Sequence, residues 1–252
     1  MYYCERKVYI LMFIDIHCHI LPDTDDGADS FSDAEEIVST AALSGTTIMV
    51  ITPHYNNRTK CKHNYSKSDI TEKYKHLLQK LNKINDSTKF FLGSELLADE
   101  NMQRLLRTND FITINNSRYI LTEFYFDEEL KKVNNYIDQI KAVGLVPIIA
   151  HPERYSFSAN ISDIELLANK GCKFQINKDS LLGRYGKREK ETALKMLNND
   201  LVHFIASDCH NNTTRNADLS ELYVKMLENF SQTKINNLFH DNQKRVLLDI
   251  DF

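Results

Sequence analysis

Tryptophan is missing from this chain of 252 residues, and glycine and proline are scarce, with 7 and 4 residues. So few backbone breakers leave little room for a linker. No Pro/Gly/Ser-rich stretch and no fixed-period repeat interrupts the chain, which argues for one domain, and α/β barrels reach this length as a single unit. Cysteine is confined to positions 4, 18, 61, 172 and 209, without a C-x-x-C pair or the density of a disulfide-stapled secreted domain. Free thiols in a reducing cytosol are expected. No apolar run approaches the roughly 20 residues that span a bilayer, so membrane insertion is not expected. The apolar stretch Tyr9 to Ile14 is too short for a signal-peptide core, lacks a small-residue cleavage site and runs into Asp15 and His17. A cytoplasmic protein is expected. The formal charge of -4, with lysines scattered among acids, leaves no basic field for nucleic acid. What is present is the balance of a globular core: 42% hydrophobic and 26% charged residues.

Seven short apolar runs recur along the chain: 9–16, 47–51, 89–92, 119–122, 145–150, 173–176 and 202–206. Several are rich in β-branched residues and read as buried strands. Amphipathic stretches separate them. Ala34, Ile37, Val38 and Ala41 follow helical spacing, as do Leu130, Val133, Ile137 and Ile140 ahead of a stop at Gly144, and Leu219, Leu222, Tyr223, Met226 and Phe230. A long helix is predicted between Tyr65 and Asn85, and the tail after Lys234 is too polar to place. Strands alternating with helices imply a parallel sheet, and seven repeats suggest a barrel, with a doubly wound open sheet as the fallback.

The chemistry-bearing residues gather where these strands end. In chain order they are His17 and His19, Asp26, His54, Glu95, Glu123, His151, and Asp208 with His210. All strand C-termini of an α/β barrel open on one face, so these residues converge there. Imidazole nitrogens with carboxylate oxygens are donors for zinc, manganese or ferrous iron. His17 and His19, two apart, point to the same side and can chelate one ion. So many ionisable groups at one mouth need neutralising, and divalent ions do that most simply.

The strings Asp15-Ile16-His17-Cys18-His19, Asp25-Asp26-Gly27, Thr52-Pro53-His54, Gly93-Ser94-Glu95, His151-Pro152-Glu153-Arg154-Tyr155 and Ser207-Asp208-Cys209-His210 resemble the polymerase and histidinol phosphatase (PHP) superfamily. The likeness is greatest to the bacterial tyrosine-protein phosphatases of capsular and exopolysaccharide operons. It implies a distorted (β/α)7 TIM-like barrel over residues 12–252, with residues 1–11 an extension or a start-site artefact. It further implies three divalent ions, manganese first, with iron or zinc as alternatives. His17, His19, Glu95 and Asp208 would hold one ion, Glu95, Glu123 and His151 another, and Asp26, His54 and His210 the third. Arg154 and Arg215 would bind the phosphoryl group, against the plainer reading of both as rim salt bridges. Metal-activated hydroxide would attack phosphorus directly, since a bound ion brings the pKa of water down to about 7. The implied substrate is a tyrosine-phosphorylated protein, specifically the tail of a bacterial tyrosine autokinase that regulates polysaccharide export. An oligomer is compatible with the sequence.

Tyr55, and also Tyr125 and Tyr155, could line a groove for the substrate ring, with ordinary packing as the alternative. Lys178-Asp179 and Asp23-Thr24 depart from the family pattern and could reshape the pocket rim. Cys209 and Arg215 match the C-x5-R spacing of thiolate phosphatases, but the intervening residues include no glycine to let the backbone wrap a phosphate. Cys18 is expected to face the barrel wall. Hydrolysis of a small phosphomonoester such as histidinol phosphate is the alternative activity, and the acidic charge disfavours a nuclease. A non-enzymatic reading, with metals only stapling the fold, fits poorly with so many ligand-type residues at an open mouth.

Overall fold

The computed structural model describes residues 12–85 and 87–252. The expected extension over 1–11, and with it the start of the first apolar run, lies outside the described residues. The strands are β1 (Phe13–Cys18), β2 (Thr46–Ile51), β3 (His54–Tyr55), β4 (Lys89–Leu92), β5 (Glu95–Leu97), β6 (Tyr119–Glu123), β7 (Val146–Ala150), β8 (Lys173–Asn177) and β9 (Phe204–Ala206). All pair in parallel, in the orders β1-β2-β4 and β3-β5-β6-β7-β8-β9.

These nine are seven staves of one barrel, because β2 continues as β3 across Thr52-Pro53 and β4 as β5 across Gly93-Ser94. Hydrogen bonds from Gly93 N to Ile51 O and from Glu95 N to Pro53 O carry the pairing through both interruptions. The barrel closes where the last stave meets the first. Asp208 N donates to His17 O and His19 N donates to Cys209 O, each at 2.9 Å, and Cys18 bridges Cys209 in parallel.

The described helices are α1 (Phe31–Ser44), α2 (Lys67–Ile84), α3 (Met102–Thr108), α4 (Leu130–Ala142), α5 (Ile161–Asn169), α6 (Lys178–Leu182), α7 (Lys187–Asn198), α8 (Ser220–Met226), α9 (Gln232–Asn236) and α10 (Asn242–Leu247). Sequence chemistry sets their ends. Ser30 with Asp33 and Ser66 with Asp69 form capping boxes on α1 and α2, and Gly45, at φ 101°, ends α1 in the left-handed conformation its lack of Cβ permits. The predicted amphipathic faces of α1 and α4 are the buried ones. The predicted helix through Phe230 stops earlier, at Met226. Phe230 N still reaches Met226 O, but Ser231 then caps a new helix through Lys234 N. The polar tail turns helical after all, because Val246 and Leu247 join the barrel's inner core.

Two apolar layers result. The larger lies between staves and helices. The smaller, with Ile14, Ile16, Val50, Leu121, Ile148 and Phe204, fills the barrel. Alternation along each stave then turns Glu123, Gln175 and Asn177 inward at the C-terminal end, above this plug. No described helix is long and apolar enough to cross a membrane.

Candidate metal centre

Strand ends and the turns just beyond them carry the ionisable side chains. His17 is the penultimate residue of β1 and His19 follows it, His54 opens β3, Glu95 opens β5 and Glu123 ends β6, while His151 directly follows β7 and Asp208 and His210 lie two and four residues beyond β9. His151, at φ 34°, and Asp208, at φ 50°, sit in the left-handed region that residues with a Cβ rarely adopt. Such strain persists where the surrounding structure over-determines it, commonly at functional sites. Asp26 arrives on the loop after β1, which passes so close to His19 that a Cβ on Gly27 would stand 2.1 Å from the His19 carbonyl oxygen. Only glycine fits there.

All nine residues singled out in the sequence meet in one cluster. His17 Nε2 and His19 Nε2 face each other at 3.0 Å, and each lies 3.4 Å from both Glu95 Oε2 and Asp208 Oδ1. His54 Nδ1 lies 2.8 Å from Glu95 Oε2 and 2.9 Å from Glu123 Oε1, and His151 Nε2 is 2.7 Å from Glu95 Oε1. His54 Nε2 and His210 Nε2 each stand 3.2 Å from Asp26 Oδ1. Glu95 is thus shared between groups, and His54 turns one nitrogen to each of two.

The arrangement fits divalent ions. Two imidazole nitrogens at 3.0 Å can share one proton at most, yet both also point at carboxylate oxygens. Buried His54 Nε2, Glu95 Oε2 and His210 Nε2 face charged neighbours without hydrogen-bond geometry, and buried His151 Nδ1 has no hydrogen-bond partner among the described residues, where an unsatisfied buried polar atom costs about 1–3 kcal/mol. Three groups, His17-His19-Asp208, His54-Glu95-Glu123 and His19-Asp26-His54-His210, have donor atoms close enough to hold an ion. The donor set is nitrogen and oxygen throughout, which suits manganese, iron or zinc.

Protons do the balancing in the metal-free cluster. Burial and the charge of His54 would lower the His19 pKa, but Asp25 and Asp208 outweigh them and raise it to about 10. Burial likewise opposes a charged His54, and Glu123 and Glu95 reverse the shift upward. Burial and the neighbouring His19 instead press His210 down to about 4. Glu95 and Asp208 stay ionised against strong desolvation because histidines, and Arg215 for Asp208, face them.

Several supporting residues were given no role in the sequence reading, although Asp25 stands in one of its motifs and Asn177 directly follows the run 173–176. Asp25 accepts from His19 Nδ1 and from the His54 backbone N–H, each at 2.8 Å, and Gln175 Oε1 accepts from His17 Nδ1 at 2.7 Å. Partners of this kind set the tautomer and orientation of a ligating histidine. Asn177 Nδ2 donates to Asp208 Oδ2 at 2.6 Å, and Lys60 Nζ stands 3.6 Å from Glu123 Oε2.

Both expected arginines reach the cluster instead of pairing along the rim. Arg215 Nη2 donates to Asp208 Oδ2 at 2.8 Å, and Arg154 Nη1 lies 4.0 Å from the same oxygen. Arg154 packs over two rings, its Cζ 4.4 Å from the Phe126 centroid and 4.9 Å from that of Tyr185.

The expected aromatic groove takes a different form. Tyr55 is turned away from the arginines by alternation with His54, is buried beside the outer core, and donates to Asp110 at 2.5 Å. Tyr155 is 1% exposed, and its hydroxyl accepts from Phe124 N. Neither presents a ring to solvent, whereas Tyr125 and Phe126 do, at 47% and 43% exposure. Lys178 and Asp179, expected at the rim, are fully buried, with Lys178 Nζ bonded to Asn216 Oδ1 next to Arg215. Asp23 does lie at the surface, at φ 52°. Cys18 faces the wall as expected, its thiol on Val50 O, and Cys209 is buried in the outer core.

Comparison with known proteins agrees with this geometry. Residues 13–248 match the family described as capsular polysaccharide synthesis, CpsB/CapC. The tyrosine-protein phosphatase YwqE of Bacillus subtilis is 35% identical over 213 residues, covering 84% of this chain and 83% of that protein. The tyrosine-protein phosphatase CpsB of Streptococcus agalactiae is 30% identical over 240 residues, covering 93% and 98%. A crystal structure from work on Bacillus subtilis YwqE and Streptococcus pneumoniae CpsB, described as metal-dependent tyrosine phosphatases, superposes with a TM-score of 0.86 at 31% identity, covering 95% of this chain and 96% of that one. A lactonase from Listeria monocytogenes, at 10% identity and a TM-score of 0.59, shares the fold alone. The barrel, its cluster of histidines and carboxylates, and these likenesses place the chain in the CpsB/CapC family of capsular polysaccharide synthesis proteins.

Proposed function

We propose that this chain is a metal-dependent protein-tyrosine phosphatase that holds three divalent ions, manganese first among them. Its substrate is the phosphorylated tail of a bacterial tyrosine autokinase that regulates capsular or exopolysaccharide synthesis. One observation carries the reading: two arginines converge on the oxygen of Asp208 that faces away from the histidine cluster, so a phosphoryl-binding pair adjoins a metal-type donor set.

His17, His19, Glu95 and Asp208 hold one ion, Glu95, Glu123 and His151 a second, and Asp26, His54 and His210 the third. Bound there, the ions supply Lewis-acid chemistry at the phosphoryl group and a nucleophile drawn from water at neutral pH. The protein's own residues do the rest. Arg215, its guanidinium kept charged by Asp208 against burial, and Arg154 present planar donors to the phosphoryl oxygens. Asn177 and Arg215 fix Asp208, and Asp25 and Gln175 fix the rings of His19 and His17. Phe126, exposed beside Arg154, offers a face to the phenyl ring of phosphotyrosine.

The test is hydrolysis of a tyrosine-phosphorylated peptide and of histidinol phosphate by one preparation, before and after chelation and manganese readdition. Peptide turnover that is lost with the metal and restored by it is expected. Preference for histidinol phosphate would move the substrate to small phosphomonoesters, and turnover that survives chelation would remove the metals from the reaction.

A further inference from the structure

Tyr185 lies on the turn between α6 and α7, a segment to which neither the sequence motifs nor the donor cluster assigns a role. The Arg154 guanidinium packs over its ring, Cζ 4.9 Å from the centroid, as it also packs over that of Phe126 at 4.4 Å. The Tyr185 hydroxyl oxygen is shielded from solvent and has no hydrogen-bond partner among the described residues. It is close enough to Asp208, Arg215 and Arg154 for their charges to act on it. Arg215 Nε, in the same corner, is also buried without a partner. A phenol and a guanidinium N–H are left unmatched together beside a second guanidinium, so three donor groups face one corner that lacks a common acceptor. Buried donors in folded proteins are almost always matched, so the missing partner is an anion with several oxygens.

We propose that Tyr185 is a third phosphoryl-binding residue, donating from its hydroxyl to an oxygen of the group that Arg154 and Arg215 hold. Its ring serves a second purpose: with Phe126 it fixes the plane of the Arg154 guanidinium, so that the fork meets the phosphoryl group already oriented. The proposal rests on the phosphatase reading. It adds a neutral donor to the two charged ones.

The experiment is binding of inorganic phosphate to the manganese-loaded full chain by calorimetry, with steady-state kinetics on a phosphotyrosine peptide, for the wild type, Tyr185→Phe and Tyr185→Leu. A hydrogen bond to a charged group is lost in Tyr185→Phe, so phosphate should bind roughly tenfold or more weakly, and KM should rise. Metal content and melting temperature should stay those of the wild type. Tyr185→Leu should lose more, because Arg154 is freed as well. Equal phosphate binding by the wild type and Tyr185→Phe would overturn the hydroxyl's role while leaving the phosphatase reading intact, even if Tyr185→Leu were impaired. A wild type that binds no phosphate and turns over no peptide would overturn both.

Discussion

Arg215 donates to Asp208 Oδ2 at 2.8 Å, while the other oxygen of the same carboxylate lies 3.4 Å from both His17 Nε2 and His19 Nε2. One carboxylate therefore couples the arginine corner to the donor cluster. Arg215→Ala should leave metal content near that of the wild type, because Asp208 keeps Asn177 as a partner. It should lower kcat/KM for a phosphotyrosine peptide by roughly 10²–10³, the scale of losing one aimed donor to developing charge. Unchanged kcat/KM would return Arg215 to a structural ion pair.

Asp25 tests the supporting shell. Asp25→Asn keeps the shape but weakens the acceptor that orients His19 and replaces half of its oxygen surface with a donor. Manganese affinity should fall by about 10–100-fold, as for other partners of ligating histidines. Titration of the chelated protein with manganese measures this, and an affinity equal to the wild type would contradict it.

Glu153 should make the metal-free protein less stable as pH rises. Burial lifts its pKa to about 7, from an ordinary value of 4.5, with only partial relief from Ser180, its own backbone, Asn177 and Arg154. The folded state thus holds a proton that the unfolded chain gives up. The stabilisation is complete below pH 4.5 and gone once pH has passed 7, a change of about 3 kcal/mol at 1.36 kcal/mol per pKa unit. Urea denaturation between pH 4.5 and 7.5 should show this slope in the wild type and a flatter one in Glu153→Gln. Parallel curves would mean that Glu153 is ionised throughout.

Cys209→Ser should retain most of the activity. The thiol is buried in the outer core, away from the donor cluster, and the backbone N–H groups of Thr213, Thr214 and Arg215 in the turn that follows already donate to Asn211 Oδ1. Complete loss of turnover with normal metal content would point to a thiolate mechanism.

The seven staves were legible because each is a short apolar run, and the nine donors were legible because they follow those runs. The two interruptions were not read as strand breaks, although Thr52-Pro53 and Gly93-Ser94 mark them: backbone bonding through both keeps the staves paired, and only the hydrogen-bond pattern separates the halves. Asp25, Gln175 and Asn177 are ordinary polar residues by type; the loop after β1 brings Asp25 to His19, and alternation on β8 aims Gln175 at His17 and Asn177 at Asp208. Lys178 and Asp179 misled because adjacent charges usually face water. Here Arg184, 2.7 Å from Asp179, and Asn216 satisfy them in the interior.

The seam between the first and last staves also dictates when the site can exist. His17 and His19 leave the ribosome early, but Asp208 and His210 follow some 190 residues later, and the backbone bonds that bring them together cannot form before then. Contacts this distant in sequence are slow to form. Until synthesis passes residue 210, the nascent chain exposes isolated histidines and carboxylates with no complete ion-binding group at the seam. The two groups that need Asp208 or His210 can therefore be completed only after that point, whereas His54, Glu95 and Glu123 are all present by residue 123.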